Sequence, residues 1–381
     1  MSTRASLEMA TSRTLSISFV AHLMNDGAEL ILPTLLPSMA HEFNLSFAQT
    51  GFLGGSMVVA LGFGQILMGY LSDATGKRRL FISLGLVLLS IGLFGISRST
   101  SYVELILFNL VAGLGASAYH PVGISMISEL FKDSGKGKAL GLHGTGGNIG
   151  MAVFPLLSGI LADYLGWRTP FAVFPALGLI IAVIFFATMK DPAKTERRTP
   201  LRFIMNQKLL MITLSLGFAS MAARGMTVFF PIRIDALGYS SSQIGALFFL
   251  MFGAGILGQY FGGYFSDLHS KKHLVIYLSL ISSALLLIPF FLTNFVLIAL
   301  VVLVAGFAKD AIWPPFFALL TDHAPEQLYG TALGMFFSIG YIMASQSPTI
   351  IGIVSDYVIF PTSMLLLLVF GVAAALAIRR T

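Results

Sequence analysis

Hydrophobic stretches of about 20 residues recur along the whole chain, each long enough to cross a bilayer as a helix. No feature constrains the fold more. A lipid core offers backbone groups no water, so a crossing segment satisfies them within a helix or a closed barrel. Barrels need alternating strands of about ten residues, and the runs here are continuous, so the spans are helical. Composition agrees. Of 381 residues, 56% are hydrophobic and 10% charged, where a soluble domain carries about 25% charged. Mean hydropathy is +0.86. Cysteine is absent, which excludes disulfides and thiolate metal sites. The polar N-terminus lacks a short apolar segment with a small-residue cleavage site, so no cleaved signal peptide is expected.

Twelve spans are read, approximately 14–40, 46–72, 79–97, 102–131, 137–164 and 168–189, then 208–236, 241–267, 273–293, 295–322, 328–355 and 358–378. The charged, proline-containing segment KDPAKTERRTPLR (190–202) divides them. The expected organisation is an N-terminal six-helix half over 1–189, a linker over 190–207 and a C-terminal half over 208–381. With the N-terminus placed inside, 18 of the 23 lysines and arginines fall on the cytoplasmic side. Arg98, Arg168 and Arg233 stay outside, and Arg224 and Lys309 fall mid-span. That obeys the positive-inside rule. It predicts a multi-pass protein of the inner (cytoplasmic) membrane, with both termini cytoplasmic and anionic-lipid contacts at the basic linker.

The chain repeats itself. GQILMGYLSDATGKRRL (64–80) aligns with GQYFGGYFSDLHSKKHL (258–274) at an offset of 194, and Gly147, Pro155, Gly159, Asp163 and Tyr164 align with Gly340, Pro348, Gly352, Asp356 and Tyr357 at 193. Two parallel halves characterise one class of secondary transporter. The GYLSDATGKRR stretch (69–79) resembles the signature loop of the major facilitator superfamily, with a weaker copy at 263–272, and the likeness covers essentially the whole chain. HLMNDGAELILPTLLPSMAHEF (22–43) with GLGASAYHPVGIS (113–125) resembles the fosmidomycin-resistance group of drug exporters, although Val122 stands where that group has an acidic residue. The resemblance implies an all-α, twelve-helix protein exporting drugs by proton antiport. It also implies that Asp73, Lys77 and Arg78, with Asp267, Lys271 and Lys272, form a cytoplasmic gate, a carboxylate at a helix end binding a helix N-terminus and a basic group. Asp163 and Asp356 are expected to be structural counterparts at the outer face.

Ionisable groups inside a membrane are costly and mark function by default. His22, Asp26 and Glu29 follow i, i+4, i+7 spacing, one face of a helix, beside Asn25. A buried carboxylate is suited to loading and releasing protons. His120 can exchange a proton at physiological pH. Asp26, Glu29 and His120 are thus the candidate proton-coupling residues. Asn109, Gly113, Ala116 and His120 share a second face. Pro121 removes a backbone donor and bends its helix, and at offset 194 it aligns with Pro315, a second bend. Arg224, Lys309 and Asp310 carry the buried charge of the second half. Arginine's planar fork fits carboxylate or phosphonate, and lysine adds a point charge. Either these cations attract an anionic substrate, or Asp310, Asp26 or Glu29 neutralises them. Asn25, Asn109, Tyr119 and Trp313 complete the candidate substrate set, with Phe229 and Tyr341 as further aromatic neighbours.

GLGASA (113–118) matches a dinucleotide pattern but follows no strand, and GTGGNIG (144–150) reads as small-residue helix packing. No ATP-binding, HExxH or GxSxG motif occurs, so the chain is not expected to be an ATP-driven pump or an enzyme. A receptor would not need two repeats. The expectation is a monomeric, proton-driven transporter of a small anionic or amphipathic molecule, with no cofactor, no metal and no nucleic-acid partner. Drug efflux leads, and uptake of an organic anion is the alternative.

Overall fold

The computed structural model describes residues 3–131, 136–191, 206–324 and 329–380. Most of the linker lies outside them. The first six spans are α1 (Thr3–Ala28) with α2 (Ile31–Glu42), α3 (Phe47–Thr75), α4 (Arg78–Arg98), α5 (Tyr102–Ala116) with α6 (Tyr119–Leu130), α7 (Lys136–Leu165) and α8 (Arg168–Thr188). The second six are α9 (Gln207–Ala236), α10 (Ser241–Leu268), α11 (Lys271–Leu287) with a 3₁₀ turn, α12 (Phe295–Ala311) with α13 (Trp313–His323), α14 (Tyr329–Ser355), and α15 (Phe360–Ser363) with α16 (Leu366–Arg379). Eleven spans of the described residues are long and apolar enough to cross a membrane on their own. The other, α1 with α2, has its helix interrupted at Glu29 and Leu30.

Local chemistry starts and stops these helices in repeat. Ser46 and Gln49 form a capping box at the start of α3, and Ser240 and Gln243 form the equivalent box on α10, each satisfying two orphan donors. Gly76 ends α3 in the left-handed conformation, at φ 71°, which glycine adopts without a Cβ clash.

The fourth and tenth spans are both broken, between α5 and α6 and between α12 and α13. The register of the repeat there is corrected by the packing. Gly113 seats on the Met57 carbonyl and Gly306 on that of Met251, while Gly69 faces Pro121 and Gly263 faces Pro314. The offset is therefore 193 in these helices. The counterpart of Pro121 is Pro314, not Pro315, and that of His120 is Trp313. Adjacent prolines at 314 and 315 hid the one-residue slip.

The two sets of six helices meet chiefly along α3 against α14 and α7 against α10. At the end opposite the basic loops these seams close tightly. Gly51 lies on the Pro348 carbonyl, and its repeat partner Gly245 lies on the Pro155 carbonyl. Asp163, at the end of α7, accepts the N–H groups of Ser241 (3.0 Å) and Ser242 (2.9 Å) at the start of α10. Asp356, after α14, accepts those of Phe47 (2.9 Å) and Ala48 (3.1 Å) at the start of α3. A carboxylate at a helix N-terminus satisfies orphan donors and the helix dipole. His41 meets its own repeat partner position, Asp235, at 2.8 Å across the same end. Beside them Arg168 grips Glu42 with two bonds of 2.7 Å; this bonding, with that of Trp167, holds the exposed Glu42 carboxyl below the ordinary carboxylate range.

The basic end differs. Asp73 bonds Arg78 at 3.0 Å within its own loop, and Arg78 also pairs with Glu129 of α6. Lys271 pairs with Asp322 of α13 at 2.6 Å. Arg78–Glu129 and Lys271–Asp322 hold corresponding places, the first residue of α4 or α11 against α6 or α13, each joining two spans of one half. Lys77 caps the start of α4 without a side-chain bond, and Asp267 is exposed. These loop residues hold their own half together, and their ion pairs do not cross to the other.

Candidate functional site

The first span breaks for a readable reason. Pro33 has no N–H to give the Glu29 carbonyl, which weakens the α-helical ladder there, although Pro155 and Pro348 sit inside unbroken helices of this chain. The chain makes two tight i→i−3 bonds, Glu29 N–H to Asp26 (3.3 Å) and Leu30 N–H to Gly27 (3.2 Å), and restarts as α2. Glu29 therefore sits in the break instead of continuing the stripe of His22 and Asp26, as the spacing had predicted.

Asp26 is the centre of the site. Its Oδ2 lies 3.0 Å from His22 Nε2 and its Oδ1 lies 3.3 Å from His120 Nε2. Asn25 Nδ2 donates to Oδ1 at 3.0 Å. His22 is held rigidly: Nδ1 bonds the His143 carbonyl at 2.8 Å, and the ring stacks on Tyr119 (5.0 Å) and on His143 (4.5 Å). Gly147 of α7 backs onto Asp26 Oδ2 and His22 Nε2 so closely that a Cβ there would collide with both. The GTGGNIG run thus packs α7 on α1, with Gly146 and Gly150 on the carbonyls of Phe19 and Leu23. His120 reaches the site because α6 restarts two residues after α5 ends, and its ring lies over Tyr341 of α14 at 6.4 Å.

Arg224 of α9 faces this cluster from the second half. One of its terminal nitrogens donates to the Gly54 carbonyl of α3 at 2.7 Å. Its Nε is buried with no hydrogen-bond partner. Glu29 and Arg224 lie near enough for charge to act between them without forming an ion pair, and Tyr341 lies beside both. Glu29, His120, Arg224 and Tyr341 each stay partly exposed although they lie mid-span among buried neighbours. Acidic and imidazole groups of one half thus lie opposite a guanidinium of the other.

Other candidates fall elsewhere. Lys309 and Asp310 neutralise each other, with Nζ 2.8 Å from both carboxylate oxygens, and the ammonium lies 4.4 Å from the Phe252 ring centre. The lysine is engaged in a buried pair of its own span, the second of the two alternatives its depth left open. Asn109 donates to the Leu53 carbonyl (3.0 Å) and to Ser56 Oγ (2.8 Å), both on α3. Its face is a helix contact, as the seat of Gly113 on Met57 also requires. The Tyr119 hydroxyl is engaged by the Ser18 carbonyl at 2.5 Å, so this ring supports His22 without offering a polar handle. Trp313 stacks on Phe317 beyond the second bend. Sequence reasoning missed His143, whose ring is 2% exposed with neither nitrogen bonded. Its only signal was a polar ring within the small-residue run GLHGTGG.

The donor atoms of His22, Asp26 and His120 all lie within 4.8 Å of one another, a set able to hold a proton or a cation.

Comparisons with known proteins converge on one family. The sequence profile of the Major Facilitator Superfamily matches residues 16–345 and again 212–381. The chain is 24% identical over 354 residues to the cis,cis-muconate transport protein of Acinetobacter baylyi, covering 88% of this chain and 85% of that one. It is 22% identical over 356 residues to the fosmidomycin resistance protein of Escherichia coli, covering 89% and 85%. Among solved structures, the bacterial homolog of the human lysosomal transporter Spinster, inward-facing and occupied, superposes with a TM-score of 0.85 at 17% identity, over 97% of this chain and 96% of that. The nucleoside transporter NupG gives 0.79 at 15%, over 96% and 99%.

Proposed function

Because the chain belongs to the Major Facilitator Superfamily of transporters, we propose that it carries a small organic anion across the membrane together with protons, by alternating access. The observation that carries this reading is the confrontation of Glu29 with Arg224 across the two halves. While Glu29 is charged it offsets part of the Arg224 charge through space. Once Glu29 takes a proton, Arg224 is left as a buried cation with an unbonded Nε, and a carboxylate or phosphonate supplies the missing acceptor. Proton and anion then bind together, the logic of symport. Asp26, between two imidazoles, is a second proton-exchanging group, held in place by Asn25. The closed end with its Asp163 and Asp356 caps, and the independent basic loops, fit an inward-facing state in which Asp73 and Asp267 are unlatched.

The cis,cis-muconate protein supports an organic acid as cargo. A second reading, proton-driven drug efflux, is favoured by the likeness of HLMNDG (22–27) and GASAYHP (115–121) to the fosmidomycin-resistance group. The basic loops support a cytoplasmic-membrane location with both termini inside. No cofactor besides the proton gradient and no second copy of the chain is invoked. The test is transport in proteoliposomes of an acid first found by a thermal-shift screen of carboxylates and phosphonates. Asp26→Asn should abolish pH-driven accumulation and spare exchange at equal pH. Normal pH-driven accumulation in that variant would sink the assignment.

A further inference from the structure

The geometry points to a divalent transition-metal site at His22, Asp26 and His120: we propose that the protein binds one Zn²⁺-class ion there through two imidazole Nε2 atoms and the Asp26 carboxylate. The tautomer of His22 is the first ground. A backbone carbonyl can only accept, so the 2.8 Å contact with His143 requires His22 Nδ1 to carry a hydrogen. In the neutral ring Nε2 then presents a lone pair to Asp26 Oδ2 at 3.0 Å, and two acceptors this close need a proton or a metal ion between them. An Nδ1–H held by a backbone carbonyl is also the usual support of a metal-ligating histidine.

Direction is the second ground. Despite that short distance, His22 Nε2 makes no hydrogen bond of acceptable geometry. A proton shared by two groups puts the acceptor on the N–H axis. Two ligands of one ion instead aim at the ion and pass each other. Donors bound at about 2.0–2.1 Å in a tetrahedral zinc site lie about 3.3 Å apart. The Asp26 contacts of 3.0 and 3.3 Å, one from each carboxylate oxygen, are near that spacing, and the three donors lie within 4.8 Å of one another. Two histidines and one carboxylate with an open position suit zinc, cobalt, nickel or ferrous iron. Glycine at 147 keeps the back of the triad clear, since any side chain there would occupy the space beside Oδ2 and Nε2. The His143 ring, 2% exposed, stacks over His22 with both nitrogens unbonded.

This inference does not rest on the cargo proposed above; the metal ion and the proton compete for Asp26, and its readout is binding, not flux. Tag-free full-length protein in detergent is titrated with Zn²⁺ by calorimetry, and X-ray absorption is recorded on the zinc-loaded protein. One saturable site per chain is expected, with two imidazoles and oxygen in the first coordination shell. His22→Ala and His120→Ala should each weaken binding at least about tenfold, while His41→Ala, at the exposed end, leaves it unchanged. Binding equally strong in both inner variants, or an absorption spectrum with oxygen ligands alone, overturns the proposal. The spectrum of the wild-type chain decides the matter even where a variant fails to fold. A protein that transports its anion yet binds no zinc refutes this site and leaves the transport reading intact.

Discussion

Replacing Asp163 and Asp356 with asparagine should open the end of the protein opposite the basic loops. Each carboxylate takes two backbone N–H groups at the start of a helix in the other half, at 2.9–3.1 Å. A charge at a surface helix N-terminus stabilises by about 0.3–1 kcal/mol. Asparagine keeps one acceptor oxygen but loses the charge and the second acceptor, so about 0.5–1 kcal/mol per site is a reasonable loss. The two caps lie on separate seams, α3 with α14 and α7 with α10, but break in the same movement. Together they should shift the closed-to-open ratio by about 1–2 kcal/mol, roughly five- to thirty-fold. The chain has no cysteine, so Val103→Cys and Val296→Cys give a unique spin-label pair. Both side chains are more than 60% exposed at that end. Pulsed electron-spin distance measurements should show a long-distance population growing by that factor relative to the short one. An Asp73→Asn control, at the opposite end, should not add to it. A folded double variant with an unchanged distance distribution would refute the idea that the two caps hold this end shut.

Two further predictions separate structural from functional polar groups. Lys309→Ala strands Asp310 in the membrane interior and should cost about 3–5 kcal/mol, seen as a large drop in melting temperature, while a Lys309→Met and Asp310→Leu double variant recovers much of it. If the double variant melts well and yet loses affinity for the anion, the pair is part of the binding site after all. Asn109→Ala removes two buried donations to α3 and should destabilise by about 1–3 kcal/mol with KM unchanged, and a large KM effect at intact stability would return Asn109 to the site.

How much of this was readable beforehand follows from which forces act locally. The bilayer demands long apolar helices, so the spans were visible in composition alone. The repeat was visible because loops, caps and glycine seats recur, as Ser46 and Ser240 or Gly51 and Gly245 show. The break at Glu29 was written in Pro33 but masked by the regular spacing of His22, Asp26 and Glu29, which assumes an uninterrupted helix. Pairing across helices was not readable. Lys309 is long enough to fold back on its neighbour Asp310, whereas Arg224, of similar depth, reaches the Gly54 carbonyl of the other half. Nothing in the local sequence distinguishes those outcomes. His143 left no periodic trace, since it lies in a run of small residues, and its importance comes only from the ring of His22 stacked against it.

The central claim is that Glu29 governs whether Arg224 accepts an anion. Binding of carboxylates and phosphonates to purified protein, followed by thermal shift between pH 5.5 and 8, tests it most directly. The account predicts that anions stabilise the wild type more at low pH, that Glu29→Gln binds them equally well across the range, and that Arg224→Ala binds none. Anion binding that survives in Arg224→Ala, or keeps its full pH dependence in Glu29→Gln, would contradict it.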